Sequence, residues 1–119
     1  MFVLDALLLV SLAAGSSQQA GIATWYDGGP GLYAAAGPDL RHGDWRGSRV
    51  TVTHEGRSVT VTLTDSCACG ERNGKPTLLD LSATAFKRLA PLSQGVIEVE
   101  VTRAGAIALP ATDTEGETP

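Results

Sequence analysis

Two aspartates in the middle of the chain have the chemistry and the positions that acid–base catalysis requires. Asp65 ends a run of alternating β-branched and apolar residues, and Asp80 follows two leucines that return the chain to extended structure. A positioned carboxylic acid can protonate a leaving group and later accept a proton from the attacking group. The structural alternative is that Asp65 caps a turn and Asp80 helps to cap a helix. The residue types alone leave both interpretations open.

The segments around the two aspartates predict a strand, a loop, a second short strand and a helix. Residues 59–64 (VTVTLT) alternate as a half-buried strand does, and residues 67–76 contain the glycines, asparagine and proline typical of turns. Ser82 is a suitable N-cap for the following helix, ATAFKRLA, which Pro91 ends. The sequence therefore predicts that each aspartate lies where a strand ends.

Further alternating segments indicate a mainly β domain. Residues 49–64 predict a hairpin around Glu55-Gly56, residues 21–26 a first strand, and the segment from Gly95 a last strand. Residues 33–38 show no alternation and, taken alone, indicate a loop. The predicted core consists of the apolar members of these strands and of the helix: Val50, Val52, Val59, Val61, Leu63, Leu81, Ala85, Phe86, Leu89, Val96, Val99 and Val101.

Composition excludes several classes of protein. The 119 residues allow one domain, and a net charge of −4 without a basic run argues against nucleic-acid or anionic-membrane partners. The two cysteines, Cys67 and Cys69, are too few for a four-ligand structural zinc site unless His42 and His54 complete it. We therefore predict no metal and no cofactor. The cysteines form either a small-ring disulfide, which would stiffen the loop after Asp65, or two free thiols.

Aromatic residues are few, so those present are candidate sugar-binding residues. An aromatic ring can stack on the C–H face of a sugar, which makes Trp25, Tyr26, Tyr33 and Trp45 candidates. Trp25 and Tyr26 alternate along the first strand, and the sequence leaves open which of the two faces lines a groove. Trp45 and His42 lie in a polar loop, DLRHGDWRG. The loop could bind sugar, or it could be a solvated loop in which Trp45 packs into a minor core, and the sequence favours neither.

The chain divides into a hydrophobic N-terminal segment (residues 1–18), a domain (19–104) and a flexible acidic tail (105–119). The first segment is too short to span a bilayer and has the length of a signal peptide, although Asp5 stands where basic residues are usual. The alternative is a helix that docks on a partner protein. The tail lacks periodicity and ends in acidic and polar residues, which favours disorder.

Three motifs, in order, resemble the double-psi β-barrel domains of the rare lipoprotein A and expansin families. ATWY at residues 23–26 resembles their first-strand motif. Thr64-Asp65 and the later LDLS at residues 79–82 resemble their T-D and L-D-L-S motifs, and Gly95 precedes a strand that would close the barrel. The resemblance covers most of the chain. It implies a mainly β fold, a six-stranded double-psi β-barrel with one short helix after the L-D-L-S motif.

The same resemblance implies a function on cell-wall glycans. It assigns Asp80 as the general acid of a peptidoglycan lytic transglycosylase-like enzyme, a lyase, and Asp65 as its catalytic partner. One acid is sufficient for such a reaction, because a hydroxyl of the muramic acid attacks its own ring. The expected partner is a polysaccharide, without nucleic acid and without a membrane in the mature form, and the expected location is secreted or in the cell envelope.

Two alternatives belong to other functional classes. Expansin-like domains keep both aspartates and loosen polysaccharide without evident hydrolysis, so the chain is alternatively a non-catalytic glycan-binding or wall-loosening module. The second alternative is a structural virion or envelope component that keeps the barrel and assembles through its N-terminal helix. The sequence leaves all three open.

Overall fold

The structure, a computed structural model, describes residues 18–103. The predicted acidic tail and, apart from Gln18, the predicted N-terminal segment lie outside the described residues. No helix in residues 18–103 is long and apolar enough to cross a membrane. The elements are β1 (Gln18–Tyr26), β2 (Tyr33–Ala36), β3 (Arg49–His54), β4 (Arg57–Ser66), β5 (Glu71–Arg72), β6 (Lys75–Ser82), helix α1 (Ala83–Lys87) and β7 (Ile97–Arg103), with 3₁₀ turns at Pro38–Leu40 and Leu92–Gln94.

Six of these strands close into a barrel, as predicted. The strand order is β1-β7-β3-β4-β2-β6, and β6 pairs back onto β1. The β1–β6 and β2–β4 pairs are parallel, whereas the remaining pairs are antiparallel. The two-residue strand β5 forms only a small hairpin with β6. The prediction of a mainly β, six-stranded barrel with one short helix is confirmed.

The β3–β4 hairpin forms where the alternating pattern predicted it. Glu55 and Gly56 both have positive φ, 47° and 84°, which gives the two-residue turn whose twist matches a hairpin. The predicted valines of both strands and Leu63 face inward and are at most 5% exposed. Burial of this apolar face is what fixes the register of the hairpin.

The last strand begins later than predicted, and one predicted core residue is wrong. Gly95 has a φ of 70° and ends a 3₁₀ turn, so β7 starts at Ile97. Alternation from this start buries Ile97 and Val99 and leaves Val96 37% exposed. Val96 therefore lies outside the core, and Ile97 occupies the core position that the sequence predicted for Val96.

Residues 33–36 form a central strand rather than the predicted loop. β2 lies between β4 and β6, and Ala34 and Ala36 are fully buried. Small side chains suit this crowded position: a Cβ on the following Gly37 would lie 2.2 Å from the carbonyl oxygen of Thr77. The strand is too short and too uniform in alanine to show a period of two.

Helix α1 begins at the predicted cap. The Ser82 hydroxyl accepts a hydrogen bond from the Ala85 amide (3.2 Å) and donates one to the Gly31 carbonyl (2.7 Å). The cap thereby also holds the segment that leads into β2. The helix ends at Lys87, earlier than predicted, and Phe86 and Leu89 still pack into the core.

Candidate functional site

A row of four residues crosses four neighbouring strands at one end of the barrel. On β6, Asp80 pairs with Thr24 of β1 on one side and with Ala35 of β2 on the other. Ala35 in turn pairs with Asp65 of β4. We call Thr24, Asp80, Ala35 and Asp65 the aspartate row. The structure thus brings both predicted catalytic residues to one face, separated by a single alanine.

Two irregularities in pairing create this row. The β2–β4 register steps from Leu63 to Asp65 and leaves out Thr64, and the β1–β6 register steps from Thr77 to Leu79 and leaves out Leu78. An extra residue in one strand changes which side chains face each side of the sheet. With regular pairing, Thr24 would face Leu79 and Ala35 would face Thr64. Each aspartate therefore enters the row because of an irregularity just before it.

The aspartate row faces away from the core. The row next to it along the strands consists of Leu63, Ala34 and Leu81, all fully buried. Side chains alternate between the two faces of a strand, so the aspartates project outward. Asp80 is half-buried and Asp65 is exposed.

Asp80 is held by its neighbours. The Thr24 hydroxyl donates a 2.8 Å hydrogen bond to Oδ1 of Asp80, which leaves Oδ2 for another partner. β6 is hydrogen-bonded on both sides, so the backbone at Asp80 is fixed as well. Thr24 was not among the predicted site residues. Its alternation with Tyr26 placed the two on one face, but no local pattern indicates that Thr24 pairs with Asp80.

Asp65 lies where β4 runs into a loop that a disulfide closes. Its Oδ1 accepts a 2.9 Å hydrogen bond from the Ser66 amide. Cys67 and Cys69 are joined, with Cα atoms 5.1 Å apart, so of the two cysteine alternatives the structure has the disulfide. The Cys67 amide also donates to the Ala36 carbonyl (3.0 Å). Within residues 18–103 no group of three or more histidine, cysteine or acidic side chains is placed to hold a metal ion.

Two tyrosines lie beside the aspartate row. The rings of Tyr26 and Tyr33 meet edge to face, with centroids 6.1 Å apart, and the Tyr33 hydroxyl donates to the carbonyls of Gly28 and Gly29. Partial burial, followed by the proximity of Tyr33, Asp80 and Asp65, raises the pKa of the Tyr26 phenol above its ordinary value. Tyr26 is therefore near both carboxyl groups, and its hydroxyl keeps its proton at neutral pH.

Trp25 lies on the opposite face of β1. Its indole N–H donates to the Leu92 carbonyl (3.0 Å), and its ring centroid is 6.4 Å from that of Phe86. The side chain is partly buried against the core. The structure therefore gives Trp25 a packing role beside α1 and places it away from the aspartate row.

Trp45 lies next to β4, on the side of Asp65. Its loop extends the sheet: the Gly47 amide donates to the Leu63 carbonyl (2.7 Å). The indole is partly buried against the core, and the guanidinium group of Arg46 lies over it, 4.5 Å from the ring centroid. Arg46 also donates to the Thr64 carbonyl (2.8 Å). His42, in the same loop, is exposed.

Two clefts of about 510 and 500 Å³ flank the β3–β4 turn, and the aspartate row lines neither. His54 and Glu55 border both clefts, and the first also contains Lys75 and Glu98. The hydrogen bond from Lys75, followed by its charge, lowers the pKa of Glu98. The aspartates instead lie on an outward sheet face, a shape that can accept a polymer along its length.

A family model described as lytic transglycolase matches residues 18–101. The match contains the whole aspartate row. An uncharacterised protein of Synechocystis is 37% identical over 75 residues, which are 61% of this chain and 70% of that protein.

A papain inhibitor is also similar in sequence. The inhibitor, from Streptomyces mobaraensis, is 42% identical over 52 residues, which are 44% of this chain. This chain matches only 34% of the inhibitor's length. The solved structure of a Streptomyces papain inhibitor superposes with a TM-score of 0.57 and 24% identity, over 73% of this chain and 93% of that one.

An expansin has the same fold. The expansin of Clavibacter michiganensis, solved in complex with cellohexaose, superposes with a TM-score of 0.62 and 24% identity. The superposition covers 79% of this chain and 54% of the expansin. At this level of identity the likeness to both solved structures shows the fold alone.

Proposed function

Because the chain belongs to the lytic transglycolase family of double-psi β-barrel domains, we propose that it cleaves the glycan strands of peptidoglycan with Asp80 as the general acid. The observation that carries this proposal is the aspartate row, in which one carboxyl is fixed by a neighbouring hydroxyl and a second stands exposed along the same surface.

Asp80 supplies the proton that the reaction needs. Thr24 occupies Oδ1, so Oδ2 is the atom that faces the glycosidic oxygen and protonates it as the bond to the anomeric carbon breaks. The carboxylate then accepts the proton of the muramic acid hydroxyl that attacks the same carbon. The proton donated in the first step is regained in the second, and no water is consumed.

The position of Asp65 suits binding better than nucleophilic attack. Two strand spacings separate it from Asp80, which places their Cα atoms about 10 Å apart. The two carboxylates of a glycosidase flank the scissile bond, whereas Asp80 and Asp65 lie side by side on one sheet face with a strand between them. Asp65 therefore accepts hydrogen bonds from sugar hydroxyls one or two sugars along the strand, and the intramolecular reaction removes the need for a second catalytic carboxylate.

The tyrosines complete the surface for a sugar. Tyr26 keeps its proton and can donate to a hydroxyl or ring substituent near Asp80. Tyr33 is held by the carbonyls of Gly28 and Gly29, which fixes the ring against which Tyr26 packs. An aromatic ring offers an apolar face and a tyrosine hydroxyl a polar tip, which together suit a sugar's C–H face and its hydroxyls.

The disulfide supports a location outside the cytoplasm. Disulfides persist in oxidising compartments such as the bacterial periplasm and the extracellular space. The Cys67–Cys69 bond is therefore consistent with secretion or the cell envelope, where peptidoglycan is found.

A second candidate function is protease inhibition, which the sequence match to the papain inhibitor favours. In that case the barrel would bind a protein rather than a glycan, and the aspartates would carry no chemistry. Residual papain activity, measured at increasing concentrations of the protein, decides this candidate. The virion or envelope component stays a prediction.

The proposed function is tested by incubating wild type and Asp80→Asn with purified sacculi and detecting anhydromuramic products by mass spectrometry. We expect product release to fall about a hundredfold or more in Asp80→Asn, because the amide cannot deliver a proton. Asp39→Asn, at an exposed aspartate in a 3₁₀ turn, is the matched control and should retain activity. Equal release from wild type and Asp80→Asn, or release from neither, would remove Asp80 as a catalyst, provided that the unfolding midpoints of the two proteins agree. A protein that binds sacculi without releasing product would be a non-catalytic glycan-binding module.

A further inference from the structure

Two guanidinium groups flank the end of β4 that carries Asp65. Arg46 donates to the Thr64 carbonyl (2.8 Å), one residue before Asp65. Arg41 donates to the Cys67 carbonyl (3.0 Å), two residues after it, and to the Ala36 carbonyl (3.1 Å). This end of the aspartate row therefore carries positive charge on both sides, whereas the hydrogen bond to Asp80 comes from the neutral hydroxyl of Thr24.

Arg46 is oriented by the protein and yet lacks an anionic partner. Its guanidinium plane lies over Trp45, and one of its five N–H groups is used by the Thr64 carbonyl. The side-chain ion pairs formed among residues 18–103 are His54–Glu55 and Lys75–Glu98, so no described carboxylate lies within 4.0 Å of Arg46. Arg46 is exposed. Other exposed cations, such as Arg57 at the far end of β4, have no comparable stacking contact within the described residues.

An arginine held in this way is suited to one class of group. The planar fork of N–H donors matches the two oxygens of a carboxylate, and stacking on an indole reduces the side-chain entropy lost on binding. Sugar hydroxyls need no such charge. Asp65 directly follows Thr64, whose carbonyl Arg46 contacts. A glycan that contacts Asp65 therefore passes close to the Arg46 donors.

We infer that Arg46 forms a carboxylate-binding subsite beside Asp65, and that the substrate is therefore an anionic glycan rather than a neutral glucan. The inference rests on the proposed glycan function and specifies its substrate class. The carboxylate is carried either by the sugars themselves, as a lactyl group, or by attached peptides. Both sources present the same pair of carboxylate oxygens to Arg46.

Binding to soluble glycan fragments, measured by calorimetry, tests the inference without depending on catalysis. Three probes are compared: peptidoglycan fragments with their peptides, peptide-free glycan strands with free lactyl carboxylates, and fragments whose carboxylates have been converted to amides. We expect Arg46→Gln to weaken binding of carboxylate-bearing probes about tenfold and to leave binding of the amidated probe unchanged. Loss confined to the peptide-bearing probe identifies the peptide as the source, and loss with the peptide-free strands identifies the sugar.

Arg57→Gln is the matched control, because it removes the same charge from the same strand about 23 Å away from Thr64. It should bind every probe as wild type does. Arg46→Lys keeps the charge but loses the planar pair of N–H donors, so its affinity should lie between those of Arg46→Gln and wild type. Thermal midpoints of both Arg46 variants check that the Trp45 loop remains folded.

The outcomes separate this inference from the proposed function. If Arg46→Gln binds native and amidated fragments equally well, or loses affinity for both alike, the carboxylate subsite is overturned. If, in addition, wild type cleaves sacculi and Asp80→Asn does not, the proposed function stands without the carboxylate subsite. If wild type binds none of the three probes, the glycan function fails together with the inference.

Discussion

The two ends of the aspartate row differ in how firmly the protein holds them. At one end, Asp80 is half-buried on a strand paired on both sides and receives a hydrogen bond from Thr24. At the other end, Asp65 is exposed. It is the penultimate residue of β4, just before the disulfide loop, and is flanked by Arg41 and Arg46. The two carboxyl groups have the same chemistry and belong to one surface, yet their surroundings suit different tasks.

Under the proposed function, this difference suits the fixed end to chemistry and the open end to recognition. Proton transfer requires a donor atom held within hydrogen-bond reach of the scissile oxygen, which two flanking strands provide. Recognition of a polymer with varied substituents tolerates exposed side chains on a loop, where sequence can vary without disturbing the barrel. Thr24 contacts only the fixed end and Arg46 only the open end, while Trp25 packs against the core and Trp45 lies under Arg46, so the difference can be tested residue by residue.

The tryptophans provide the largest expected difference in stability. Trp25→Ala should lower the free energy of unfolding by about 2–3 kcal/mol, because it removes a partly buried indole that packs near Phe86 and hydrogen-bonds Leu92. Trp45→Ala should cost about 1 kcal/mol and weaken glycan binding, since the indole supports Arg46. Urea denaturation and calorimetry measure the two effects. A larger stability loss in Trp45→Ala, or weaker glycan binding in Trp25→Ala alone, would reverse the assignment of the two ends.

A smaller effect is expected from the hydroxyl at the fixed end. Thr24→Val keeps the shape of the side chain and removes the hydrogen bond to Asp80, which should reduce turnover on sacculi about five- to tenfold, on the scale of a single hydrogen bond. Binding of glycan fragments should not change. Thr51→Val removes the 3.1 Å contact with Thr60 elsewhere on the sheet and is the control. Equal losses in both variants would show that Thr24 acts through stability rather than through Asp80.

The sequence was sufficient to predict the elements whose patterns are local. The β3–β4 hairpin follows from alternation around Glu55-Gly56, and the helix start follows from Ser82, whose hydroxyl accepts from Ala85 as a cap should. Each of these depends on neighbours within a few residues. Local patterns therefore recovered most of the fold.

The parts of the fold that the sequence did not reveal depend on pairing across the barrel. No local signal marks β2, whose alanines make sense only between β4 and β6. The start of β7 was misplaced because Val96 is as apolar as Ile97, and only the turn at Gly95 decides between them.

The two aspartates of the candidate site were predictable from the sequence, but Thr24 and the arrangement of the row were not. Asp65 and Asp80 could be chosen from their positions at strand ends, but the irregularities at Thr64 and Leu78 that bring them into one row are invisible in the sequence. Trp25 was a candidate sugar-binding residue because alternation does not say which face lines a groove. Tertiary pairing places Tyr26 on the face of the aspartate row and Trp25 on the other face, and sugar binding by either residue stays a prediction.

The central claim is that the outward face of the aspartate row binds the glycan. Amide chemical-shift changes measured by NMR during titration with soluble peptidoglycan fragments test it most directly, because every strand of the barrel is observed at once and no catalysis is required. We predict that the largest shifts fall on residues 24–26, 35, 64–67 and 80, with smaller shifts at 45–47. The clefts at the β3–β4 turn serve as an internal control. Shifts concentrated at residues 53–56 and 98–100, with none along the aspartate row, would contradict the account.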